Sequence, residues 1–169
     1  MTISMYSASV PVYAHTLANL ERILDKAEAN ALARKFDPAV LLATRLAPDM
    51  LPLTKQVQIA CDAAKLSVAR LAGIESPKFE DNEASIADLK ARVRKTLEFL
   101  QTVPAEKVDG SEAREVRVPR RDGEMKFDGE TYLKHYALPN FFFHVTTTYA
   151  LLRHNGVDLG KADYLGALQ

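Results

Sequence analysis

Apolar residues along this chain recur mostly at three- and four-residue steps, the spacing of one helix face. From Val10 to Ala29, the residues Val10, Tyr13, Leu17, Leu20, Leu24 and Ala27 mark a first helix. Residues 30–48 form a connector with a short helix, Asp37 being placed to cap it and Pro38 standing at its first position. Leu53, Val57, Ala60, Ala64, Val68 and Leu71 describe a second long helix, closed by Gly73, where a left-handed residue ends the last turn. From about Ser85 the residues Ile86, Leu89, Val93, Leu97 and Leu100 resume the repeat until Pro104. The period then changes. Val116 and Val118 alternate, the chain turns near Asp122 and Gly123, and Met125 and Phe127 alternate again, which predicts a short hairpin. A fourth helix runs from about Pro139 to Asn155 and stops at Gly156. These spans predict an all-α fold: an antiparallel four-helix bundle with a small β-hairpin between the third and fourth helices, in one domain over residues 1–169.

Composition narrows the function classes. Of 169 residues, 47% are hydrophobic, enough for a sizeable core. Lysine plus arginine number 22, as do aspartate plus glutamate, so the formal charge is zero and no basic field for nucleic acid is present. The opening MTISMYSASVPVYAH has neither a basic leader nor a long apolar stretch, which predicts no signal peptide, no membrane span and a soluble, cytoplasmic protein. The lone Cys61 excludes an intramolecular disulfide, and its apolar helical setting predicts a buried, inert thiol. The basic run RVPRR at 117–121 reads as a solvated hairpin edge.

Candidate chemistry gathers in LPNFFFHVTTTYALLRHNG, residues 138–156. At about 100° per residue, Phe141, Val145, Thr148 and Leu152 share a stripe, and His144 stands one turn before Thr148 facing inward. On the second helix, the same projection places Asp49 and Gln56 beside the stripe of Leu53, Val57 and Ala60, while Gln58 points away. A carboxylate, an amide and an imidazole can therefore meet along one groove, where bundles build ligand and metal sites. The alternative for His144, Thr148, Asp49 and Gln56 is a satisfied buried network, with Asp49 serving as a helix cap. Thr146 and Thr147 project away and bond back to their own helix. Phe141, Phe142, Phe143 and Tyr149 read as core or dimer contacts. His15, His135 and His154 project elsewhere and are poor second ligands.

Four stretches carry a resemblance: MYSASVPVYAHTLANLERILDKAE, LAPDMLPLTKQVQIACDAAK, YALPNFFFHVTTTYALLRHNGV and LGKADYLG. Together they resemble a bacterial family of unknown function placed in the DinB/YfiT-like superfamily of metalloenzymes. The resemblance implies a four-helix bundle, often dimeric, with relatives that are thiol-dependent transferases and mycothiol-dependent isomerases. It also implies a divalent metal held by three histidines, one on the second helix and an H-x-x-x-H pair on the fourth. His144 matches the first of that pair, but Thr148 stands at the second, and the second helix has no histidine, Gln56 being its nearest inward polar residue. Glutamine and threonine are weak neutral donors, so a tight three-histidine site is not expected.

Two functions follow as expectations. In the first, the metal site is degenerate or absent and the bundle binds a small molecule or pairs as a homodimer. In the second, it is a divalent-metal-dependent enzyme of thiol-transfer or isomerisation type, with His144 and Asp49 as catalytic candidates and His144, Gln56 and Thr148 as metal candidates.

Overall fold

The computed structural model describes residues 3–167; the terminal residues 1–2 and 168–169, which the single-domain expectation includes, lie outside the described part. The fold is mostly helical, with one small two-stranded antiparallel sheet. Helix α1 spans Val10–Ala33, one turn longer than the apolar repeat predicts. A 3-10 segment at Pro38–Ala43 follows, and Asp37 caps it by accepting from Ala39 N at 2.9 Å. Helix α2 covers Leu53–Ala72 and ends on Gly73 at φ +67, the left-handed closure expected there. Helix α3 covers Ile86–Gln101, with the Ser85 hydroxyl accepting from Asp88 N at 3.1 Å and Asp88 accepting from Ala84 N at 3.1 Å.

A short helix α4, Ala105–Val108, leads into strands β1, Val116–Arg120, and β2, Gly123–Phe127. Their register pairs Val116 with Phe127 and Arg120 with Gly123. The two-residue loop is therefore Arg121–Asp122, one position earlier than the Asp-Gly pair suggests, and Gly123 at φ +138 opens the return strand.

The last long helix begins earlier than expected. Helix α5, Gly129–Tyr132, passes through a wide π turn at Leu133–Ala137 directly into α6, Leu138–His154. Pro139 supplies no N–H and its ring would crowd the carbonyl four residues back, so a widened turn just before it lets the helix continue. A final short helix α7, Lys161–Leu165, packs on α1.

Helix α2 packs against both α6 and α3, and α1 against α3. One continuous apolar cluster includes Tyr13, Leu17 and Leu20 of α1, Leu53, Val57 and Cys61 of α2, Leu89 and Val93 of α3, and Phe141 and Leu152 of α6. Val116, Val118 and Tyr132 extend it beneath the hairpin. No helix among the described residues is long and apolar enough to cross a membrane.

Candidate functional site

Helices α2 and α6 bring Gln56 and His144 together. His144 is 8% exposed and Gln56 2%, and the imidazole Nδ1 lies 2.8 Å from Gln56 Oε1. The orientation of the amide is fixed at its other end. Gln56 Nε2 donates to the Leu51 carbonyl at 3.0 Å, and that oxygen can only accept. Oε1 therefore faces the imidazole, and Nδ1 carries the proton it donates. Burial holds the imidazole below its usual range, so the ring is neutral near pH 7 and Nε2 keeps its lone pair.

Nε2 takes no partner among the described residues. The fully buried, unpaired side-chain polar atoms there are Asn30 Oδ1, Gln58 Oε1, Arg92 Nε and Ser111 Oγ, so His144 Nε2 retains a solvent-facing edge. Its ring stands edge to face against Phe143 at 5.2 Å between centroids. Phe143 in turn lines a cleft of about 440 Å³ with Leu46, Met50, Phe142, Thr146, Thr147 and Ala150. Phe143 is 56% exposed, and Leu46 and Leu51 are exposed nearby.

The other candidates fall differently. Thr148 is fully buried and donates its hydroxyl to the His144 carbonyl at 2.9 Å. Thr147, expected to project away, is also buried and donates to Phe143 O at 2.7 Å. Thr146 is exposed and shares a hydrogen bond with Tyr164 Oη at 2.9 Å. Asp49 neither joins the groove nor caps α2. It is exposed in the bend ahead of the helix, has no hydrogen bond or ion pair among the described residues, and the capping position is Pro52. The two prolines flanking it, Pro48 and Pro52, hold this stretch as a turn and extended entry, which carries the carboxylate off the helical projection. His15, His135 and His154 are exposed, and His15 Nε2 donates to Leu165 O at 2.7 Å, tying α1 to the C-terminal helix.

The three-ligand metal expectation can be tested on these bonds. Gln56 Oε1 is occupied by Nδ1–H, Thr148 has given its proton to the backbone, and only His144 Nε2 remains open. Among the described residues no three His, Cys, Asp or Glu side chains converge as a metal site. The donor set does not fit a tightly held divalent metal.

A second polar cluster was not visible in the helical projection. Arg92 of α3 is 2% exposed and donates to Glu83 Oε1 at 2.9 Å, Glu80 O at 3.2 Å and Asp62 Oδ1 at 3.0 Å, with Asp81 Oδ1 at 3.0 Å. Gln58, which does point away from His144, is buried here and donates to Glu83 Oε2 at 2.6 Å. Lys65 donates to Pro77 O at 2.8 Å and covers the Phe79 ring. These bonds strap the irregular segment 74–85 across α2 and α3, a structural task. The sequence signal available was an arginine at an inward position of α3 opposite the acidic run in EDNE. Cys61, buried in α2, has its thiol pushed up to about 12 by burial, which leaves it unreactive as expected.

A crystal structure described as a DinB family member protein from Shewanella denitrificans superposes with a TM-score of 0.89 at 41% identity, over 96% of this chain and 92% of that one. No curated protein matches the sequence. The sequence pattern of DUF1993, a domain of unknown function, matches residues 5–165. The chain therefore belongs to the DUF1993 family and shares the fold of a DinB family member.

Proposed function

We propose that this chain is a single-domain antiparallel four-helix bundle that binds a small molecule at His144 without a three-histidine metal. The observation that carries the reading is the bond from His144 Nδ1 to Gln56 Oε1, which commits the amide and leaves one neutral imidazole nitrogen open on a ring that packs against Phe143, a lining residue of the apolar cleft. Apolar clefts with a few placed polar groups are the usual form of ligand sites. Binding is favoured over general-base catalysis because the imidazole is oriented by a neutral amide, whereas a catalytic histidine is commonly steadied by a carboxylate that stabilises its charged form. Burial without such a charge disfavours the imidazolium that a base must become. The divalent-metal enzyme alternative would need ligands beyond those His144, Gln56 and Thr148 leave open.

A second reading, pairing of two copies through this face, is favoured by the exposure of Phe143, Leu46 and Leu51. A fragment titration followed by NMR, run beside metal analysis and sedimentation, separates these outcomes. Apolar fragments are expected to shift Phe143 and Met50 signals, and protein incubated with zinc, nickel or manganese is expected to retain less than one equivalent after desalting. Stoichiometric metal that His144→Ala releases would contradict the proposal. A dimer whose formation shields Phe143 from every fragment would favour the second reading.

A further inference from the structure

We infer that residues 74–85, the connection between α2 and α3, form a charge-held strap that lifts off the two helices as one piece while the helices stay packed. The inference goes beyond the ligand-binding reading and does not depend on it. Ile74, Phe79 and Ala84 belong neither to the apolar core nor to the residues packed against it, and among the described residues no backbone–backbone hydrogen bond involves residues 75–84. The strap therefore adds little apolar burial and hangs on side chains of the helices. Arg92 of α3 serves Glu83, Glu80 O and Asp81, while Gln58 of α2 holds the second oxygen of Glu83. Lys55 adds a bond to Asp81 at 2.8 Å and Lys65 one to Pro77 O. Because one guanidinium holds three strap residues and Glu83 ties both helices, losing one bond weakens the others, which makes release a single event.

The attached state also carries unmet costs. Gln58 Oε1 and Arg92 Nε, on the two residues that hold Glu83, are fully buried with no partner among the described residues. The Arg92–Glu83 pair has given up its water as well. A cavity of about 470 Å³ lies between the strap and α3, lined in part by Phe79, Asn82, Ala91 and Lys95, so close packing does not seal the strap down. Lifting returns these polar atoms to water, whereas the core contributed by Val57 and Val68 of α2 and Leu89 and Val93 of α3 contains no strap residue. The lifted form bares Gln58, Asp62, Lys65 and Arg92, a polar strip across the two helices.

The test is brief trypsin digestion of the intact chain, read by mass, at the bond after Lys78, the one basic residue of the strap. Each rate is divided by that of a free peptide of residues 74–85 carrying the same substitution. The cut after Lys78 is expected to precede any cut inside α2 or α3, and its rate is expected to rise with urea far less steeply than global unfolding does, since lifting exposes little apolar surface. Glu83→Gln is expected to speed it about tenfold, the factor one charge-assisted bond supplies, while the thermal transition stays cooperative. Asp81→Asn, at an exposed position, is expected to act in the same direction and keeps the test intact should Glu83→Gln fail to fold. Equal rates in wild type and variants would show cleavage of the attached strap and overturn the inference. A urea dependence equal to that of global unfolding would overturn it too, because the strap would then leave only with the helices.

Discussion

Replacing Gln56 by leucine removes one amide while nearly preserving side-chain volume, and the consequences can be worked from two bonds. The bond to Leu51 O is the lesser loss, since Leu51 is 45% exposed in the segment ahead of α2. The bond from His144 matters more, because the imidazole is 8% exposed and its Nδ1–H is stranded. A buried donor without a partner costs about 1–3 kcal/mol. For a domain of this size that lowers Tm by roughly 2–12 °C, at 2–4 °C per kcal/mol. His144→Phe strands the Gln56 amide instead and is expected to cost a similar amount. The double variant replaces both partners by apolar groups and is expected to recover most of the loss.

The assay is a double-mutant cycle by thermal and urea unfolding, repeated from pH 7.5 to 5. The sign with pH follows from burial. Burial lowers the folded-state pKa of His144, so as pH falls through the ordinary imidazole value the unfolded chain binds a proton that the folded chain refuses. The wild type therefore loses a contribution to stability below about pH 6.5 that His144→Phe does not lose. Single variants indistinguishable from wild type, or strictly additive losses in the double variant, would refute the buried-pair account.

Three further outcomes follow from other parts of the fold. Arg92→Met is expected to cost about 3–5 kcal/mol at pH 7, because it leaves the buried Glu83 carboxylate without its guanidinium. Burial alone pushes Glu83 up, but bonds from Arg92 and Gln58 outweigh it and hold the carboxyl below its usual range, so the wild type loses this contribution as pH falls. The variant's carboxyl is raised instead, and its gap to wild type in thermal scans should narrow toward pH 4; a gap that widens would contradict the assignment. Cys61 is expected to resist a disulfide reagent at pH 8 in the native protein and to react on unfolding, and rapid native labelling would show that the thiol is not enclosed. Gly129→Ala would place a Cβ 2.0 Å from the Ser111 carbonyl oxygen, and since backbone must shift, a loss of roughly 1–3 kcal/mol is expected by urea unfolding.

Much of the helical architecture was legible because the residues that form it also face the core. The 3.6 repeat of Leu53 to Leu71, closed by Gly73, gives α2 almost to the residue. Val116 and Val118 likewise reveal β1 by alternation. The π turn was hidden because Leu133 and Ala137 carry no marker of a widened turn, and the strain it relieves comes from Pro139 further on. At the site, one-turn spacing found His144, and the α2 projection found Gln56 across the groove. The same projection misplaced Asp49, since Pro48 and Pro52 take the chain off the helical path before α2 begins. It missed the role of Gln58 and Arg92 because their partners, Glu83 and Asp81, lie in an irregular segment that has no period to read. Tertiary pairing across a loop is not encoded in the spacing of either helix.

The most direct measurement is the ¹⁵N spectrum of the His144 imidazole at pH 7, recorded with and without added zinc. The account predicts a neutral ring protonated at Nδ1 and bare at Nε2, with the pattern unchanged by one equivalent of zinc after desalting. A ring protonated at Nε2, or an Nε2 resonance converted to a stable zinc-bound form, would contradict the Gln56-locked, metal-independent site.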